Sequence, residues 1–143
     1  MRVTALNISG FRGFARETQL DLDADAVVLM GANGLGKTSL LDALLWGLTG
    51  RIPRLGGDAK AVLSRFSDSG EARVAVTLRS IDGETREVVR SFDGESMRVS
   101  SRQQATVQGP AADASLIEGL WPTAASATDP MGSLAELITR TVY

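Results

Sequence analysis

Gly31-Ala-Asn-Gly-Leu-Gly-Lys-Thr38 constrains this chain more than any other stretch, because two glycines with four residues between them run directly into Lys and Thr. Glycine lets the backbone curl so that successive N–H groups point inward at an anion, where a side chain would block the approach. Lys37 is then spaced to reach the β and γ phosphates of a nucleotide, and the Thr38 hydroxyl to hold Mg²⁺. A helix that starts here adds the positive end of its dipole to the same anion. Gly31, Gly34, Gly36, Lys37 and Thr38 are therefore candidate ligands of ATP and its Mg²⁺.

The flanks agree with that reading. Ala26-Val-Val-Leu-Met30 is an unbroken apolar run of strand length, which predicts a central strand buried on both faces of a parallel sheet. On the other side Leu40, Leu41, Leu44, Leu45 and Leu48 trace an apolar stripe, which predicts a helix over Lys37–Thr49 with Gly50 as its C-terminal stop. Strand, glycine loop and helix stand in the order the motif requires, which disfavours an ordinary surface turn.

The 143 residues suffice for one core, and 43% hydrophobic with 22% charged residues is the balance of a globular domain. No apolar stretch approaches the roughly 18 residues of a membrane span, and Met1-Arg-Val-Thr4 opens no secretory segment, so the expectation is a cytoplasmic protein without a membrane partner. Cysteine and histidine are both absent, which excludes disulfides and the usual zinc sites and leaves oxygen-held Mg²⁺ as the expected metal. A formal charge of −2 gives no global attraction to nucleic acid, so any DNA contact has to come from a local patch.

Along the chain, Val3 to Ser9 reads as a strand, residues 10–14 as a turn, and Thr18–Leu22 as a second strand. The segment 51–58 is a loop by its Pro and Gly content, followed by a helical turn near Lys60–Phe66. From Glu71 the period becomes two: Val74, Val76 and Leu78 alternate with polar residues, Asp82-Gly83 and Asp93-Gly94 turn the chain, and strands follow around Val88–Phe92, Met97–Val99 and Ala105–Val107. This predicts an antiparallel meander over 71–108, attached to a nucleotide core over 1–66. The stretch 110–131 reads as a flexible loop, unless Ser115–Leu120 forms a short helix pinned by Trp121. Residues 132–143 read as a helix with Leu134, Leu137, Ile138 and Val142 on one face.

These residues resemble the N-terminal half of the ATPase heads in the SMC, RecF, RecN and double-strand-break-repair branch of the ABC ATPases. The loop form Gly-x-Asn-Gly-x-Gly-Lys-Thr with Asn33, the opening Leu6-Asn-Ile-Ser-Gly-Phe-Arg-Gly-Phe14, and the meander after the first helix carry the resemblance. It covers nearly the whole chain, although its specific motifs lie in the first 50 residues. The fold it implies is α/β of the P-loop NTPase class: the first lobe of an ABC/SMC-type head with an appended antiparallel β meander, and an incomplete head. By the same resemblance Arg12 lies near the nucleotide, Asn33 lines the loop opposite a partner head, and Ser39 contacts the α phosphate. Arg51, Arg54 and Arg65 are its candidates for DNA backbone contact, beside the plain alternative of a solvated surface with ion pairs.

The departures matter as much. Hydrolysis in this family uses an acidic strand, four apolar residues followed by Asp and Glu, to hold Mg²⁺ and activate water, and no such run occurs here. A Leu-Ser-Gly-Gly-Gln signature, a switch histidine and a coiled coil are also missing. The expectation is the ATP-binding half of an ATPase acting on DNA in repair, chromosome maintenance or defence. It is inactive alone and is completed by the C-terminal half of the head or by a second head in a dimer. The alternative is a nucleotide-sensing or docking module without turnover. A GTPase lacks its Asn-Lys-x-Asp segment here, and a small kinase lacks a basic lid beyond Arg51–Arg54.

Overall fold

The computed structural model describes residues 1–103 and 105–142, with the side chains of Ala124, Thr141 and Val142 outside that description. Its centre is one antiparallel sheet of six strands in the order β2-β1-β3-β4-β5-β6. They are β1 (Arg2–Ser9), β2 (Thr18–Asp21), β3 (Ala72–Arg79), β4 (Thr85–Phe92), β5 (Met97–Arg102) and β6 (Thr106–Gln108). Three helices accompany them: α1 (Lys37–Thr49), α2 (Pro110–Leu120) and α3 (Pro130–Val142). Among the described residues no helix is long and apolar enough to cross a membrane.

Period-two patterning builds the sheet, because alternate residues of each strand point to one face. Ile8 lies opposite Val74 and Leu6 opposite Val76, and Val76 in turn faces Val88, so one side of the sheet becomes a continuous apolar floor. The pairing of β1 with β3 joins the opening hairpin to the meander in a single sheet. The chain alternates there as expected, and the two regions share one core.

α1 lies on this floor, and the expected leucine stripe is only part of its buried face. Ala43, Leu45, Trp46, Gly47 and Leu48 are buried, whereas Leu40, Leu41 and Leu44 are half-buried. The reason is the closeness of the approach: a Cβ on Gly47 would stand 2.8 Å from side-chain carbons of both Val74 and Val76. The missing side chain lets the helix settle onto β3, and Trp46 beside it packs on Phe11 with ring centroids 5.4 Å apart. Gly50 ends the helix as expected, at φ 72 with its N–H donating to the Trp46 carbonyl.

Two expectations are corrected. Ala26–Met30 forms no strand and is open to solvent, with Val28 77% and Met30 88% exposed. A strand of this kind needs neighbours on both edges to satisfy its backbone and bury its faces, and every described strand already pairs within the antiparallel sheet. The segment 110–131 is largely helical instead of a loop, since α2 begins at Pro110, five residues before the expected short helix. Proline in the first turn is preset for helical φ and lacks the N–H that would go unpaired there. Ala112, Leu116 and Ile117 then anchor the helix in the core. In α3, Leu134 and Ala135 are buried and Leu137 is exposed, while Val142's side chain and Tyr143 lie outside the described residues.

Candidate functional site

Residues 31–38 leave the exposed 26–30 segment and enter α1 through a curled backbone. Gly31, Gly34 and Gly36 have φ of 155°, 88° and 88°, a region that side-chain-bearing L-residues rarely adopt. Gly36 is the N-cap of α1 and supplies no side-chain cap. The first intrahelical bond runs from Leu40 N–H to the Gly36 carbonyl at 2.9 Å, and among the described residues the amides of Lys37, Thr38 and Ser39 meet no acceptor. Three N–H groups at the positive end of a 13-residue helix thus remain available to an anion.

The Lys37 ammonium bends back across the loop and donates to the carbonyls of Gly31 at 2.6 Å and Ala32 at 2.8 Å. This holds the curl closed and keeps the positive charge within the loop. Thr38 and Asn33 are exposed, and Ser39 is half-buried, with its Oγ 3.7 Å from the place a Cβ on Gly13 would occupy. The turn between β1 and β2 therefore rests on the first turn of α1, and Phe14 stands beside Gly36 in the same way.

These residues fit a polyphosphate: a glycine-lined cradle, unsatisfied helical amides, one ammonium and one exposed hydroxyl. No group of three acidic residues suited to a metal occurs among the described residues. A cation here would depend on Thr38 and on the phosphate oxygens themselves.

Arg12 does not stand free beside the loop. Its φ of 48° is unusual for a residue with a side chain, and three contacts hold it: N–H to the Val62 carbonyl at 2.8 Å, guanidinium to the Ala61 carbonyl at 3.2 Å, and Nε 3.2 Å from Asp42 Oδ2. Asp42, on the second turn of α1, is completely buried and also receives Arg54, whose Nε donates to Oδ1 at 3.0 Å and whose second nitrogen bonds Oδ2. Arg12, Asp42 and Arg54 form one cluster at the second turn of α1. Sequence reasoning missed Asp42, although an acidic residue inside an apolar helix was the available signal.

Of the other two arginines considered for DNA, Arg51 pairs with Asp129, and Arg65 is exposed in the turn after Ser64. Asp129 caps the start of α3. Its carboxyl is held below the ordinary range by the Gly132 N–H first, against the opposing cost of desolvation, and then by Arg51. On the hairpin between β4 and β5, the N–H groups of Ser96 and Glu95 lower Asp93 to about 2, with a further contribution from Arg98. Both shifts belong to turns away from the glycine loop.

A family model described as an AAA domain matches residues 5–117. The probable DNA double-strand break repair Rad50 ATPase of Aquifex aeolicus is 30% identical over 99 residues, 67% of this chain and 10% of that protein. DNA replication and repair protein RecF of Roseiflexus castenholzii is 36% identical over 81 residues, 57% of this chain and 20% of that protein. Chromosome partition protein Smc of Rhodopseudomonas palustris is 30% identical over 106 residues, 71% of this chain and 9% of that protein. The chain therefore spans about a tenth to a fifth of the length of such relatives. A solved structure described as "Structural biochemistry of ATP-driven dimerization and DNA stimulated activation of SMC ATPases" superposes with a TM-score of 0.66 over 95% of this chain and 90% of that one, at 16% identity, and shares its fold. With the greater part of its length inside the matched domain and the P-loop class of fold around its glycine loop, the chain belongs to the AAA domain family.

Proposed function

We propose that this chain binds ATP through Gly31–Ser39 as the phosphate-loop portion of an ATPase head that acts on DNA in the cytoplasm. The observation that carries the reading is the set of free amides at Lys37, Thr38 and Ser39, in a loop whose curl the Lys37 ammonium bridges. Bound triphosphate would take the ammonium from the Gly31 and Ala32 carbonyls. Thr38 would give its hydroxyl to Mg²⁺, Ser39 would reach the α phosphate, and Asn33 would face the partner head. Mg²⁺ would supply charge neutralisation between the β and γ oxygens. Arg12 steadies the first turns of α1 through Asp42.

Hydrolysis requires an acidic strand and a signature segment, which a C-terminal half or a second head would contribute. The exposed run 26–30 supports this, because an apolar segment of strand length beside the loop is suited to pair with strands supplied by that half. Arg51, Arg54 and Arg65 are proposed for the DNA side, the first two only to the extent that Asp129 and Asp42 release them, and Arg65 is exposed. The reading without turnover has one observation in its favour: Asp42, the carboxylate nearest the loop in sequence, is fully buried and already paired with two arginines.

Lys37→Ala tests the binding reading. Loss of a charge-assisted contact to phosphate predicts about 2–3 kcal/mol, or roughly a hundredfold weaker ATP binding by titration calorimetry. Unchanged affinity would remove the assignment. Mixing the chain with the remainder of a head then separates the two readings, because only the ATPase reading gives turnover that depends on both parts.

A further inference from the structure

Arg90 is one of the largest buried side chains among the described residues, and it stands on the inner face of β4 between Val88 and Phe92. A guanidinium so placed must have its donors met. Nε donates to the Gly47 carbonyl at 3.3 Å, and Nη2 to the Leu48 carbonyl at 3.4 Å and to Asp113 Oδ1 at 2.7 Å. Gly47 and Leu48 belong to the last turn of α1, which has no basic residue of its own, and Asp113 belongs to the first turn of α2. Charges alternate along this line: the negative end of α1, the guanidinium, the carboxylate and the positive end of α2.

The rest of that turn is equally well satisfied. The Leu45 carbonyl accepts the Thr49 hydroxyl at 2.8 Å, and the Trp46 carbonyl accepts the Gly50 N–H at 2.7 Å. With Gly47 pressed onto β3, α1 has little freedom to rock on the sheet without breaking the Arg90 contacts. Its 13 residues form a rod about 20 Å long whose other end is the glycine loop.

We infer that Arg90 is a positioning residue for that loop. It locks the far end of α1 and, through Asp113, ties α1 to α2, so that the arrangement of residues 110–142 sets how firmly Lys37–Ser39 are held. The consequence for nucleotide rests on the triphosphate reading above, whereas the mechanical coupling stands without it.

Amide hydrogen exchange on the full chain tests the coupling, with Arg90→Gln, Arg90→Lys and Asp113→Asn compared with Leu78→Ala, a core variant on β3 that takes no part in the Arg90 hydrogen bonds. Arg90→Gln is expected to speed exchange of residues 40–42, the first hydrogen-bonded amides of α1, about fivefold, Asp113→Asn to act in the same direction with a smaller effect, and Arg90→Lys to restore most of the protection. Leu78→Ala, at comparable loss of global stability, leaves residues 40–42 protected. Faster exchange confined to residues 46–50 and 110–114 would overturn the inference, as would equal effects in Leu78→Ala. If Arg90→Gln does not fold, Asp113→Asn and Arg90→Lys decide the question in the same way. Binding of a fluorescent ATP analogue is measured in parallel: failure of the unaltered chain to bind counts against the triphosphate reading alone, and the exchange pattern still judges Arg90.

Discussion

The two ends of α1 are built on opposite plans. At its C-terminal end Thr49, Gly50 and Arg90 satisfy the carbonyls of residues 45–48, and Gly47 holds the backbone against β3. At its N-terminal end three amides have no acceptor, three glycines take conformations closed to most residues, and the preceding segment is exposed. Buried polar groups without partners are costly, and here the residues that carry the unsatisfied amides are half-buried or exposed. On the proposed reading this asymmetry would locate the source of affinity: the helix is anchored at one end so that the other can remain incomplete without fraying.

The contrast is most vulnerable at Gly47. Gly47→Val puts a branched side chain where even a Cβ stands 2.8 Å from Val74 and Val76, and overpacking of this kind costs about 3 kcal/mol. Urea unfolding of the variant should show that loss. A decrease below about 0.5 kcal/mol would mean that the helix is not seated on β3 as described.

What could be read from residues alone follows the same division. The glycine loop and the limits of α1 were legible because local rules fix them: Gly36 and Gly50 both take the left-handed conformation that punctuates a helix. The strands from Ala72 onward were legible from alternation, which needs only nearest neighbours. Arg90 was not, since a charged residue on the inner side of Val88-x-Arg90-x-Phe92 interrupts the apolar pattern and its partners lie 42 and 43 residues away on α1. Asp42 and Gly47 stayed hidden for a related reason: Asp42 needs two arginines from distant turns, and Gly47 resembles a weak point in a helix until the sheet is placed beneath it. For Ala26–Met30 the residue pattern describes a buried strand, but burial depends on neighbouring strands that the antiparallel sheet does not provide.

A smaller effect is expected at the open end. A Cβ on Gly34 would meet nothing within 4 Å, so Gly34→Ala adds no clash and only asks an L-residue to hold φ near 88°. That conformation costs about 1–2 kcal/mol, and an exposed loop sheds part of the cost by relaxing. The expected outcome is a loss of stability at or below about 1 kcal/mol, together with weaker ATP binding because the relaxed loop no longer aims its amides. A loss equal to that of Gly47→Val would erase the proposed difference between the ends.

The smallest effect belongs to Asp129, which fastens the chain just beyond the closed end of α1. Its carboxylate accepts the Gly132 N–H at 3.1 Å and pairs with Arg51, so the folded state lowers its pKa below the ordinary 3.8. A carboxyl shifted in that direction adds stability at neutral pH and gives it up as pH falls through and below its unfolded value. Both partners are about half exposed, which screens the pair and keeps its contribution among those of weak surface ion pairs. Asp129→Asn retains an acceptor for Gly132 but loses the charge facing Arg51, and asparagine is itself a good helix cap. Its urea midpoint should therefore fall slightly below that of the unaltered protein at pH 7, and the deficit should shrink as pH falls through the carboxyl's lowered folded-state value. A deficit that persists undiminished in acid would mean that Asp129 holds α3 through geometry alone, leaving Arg90 as the charged tether at that end of the helix.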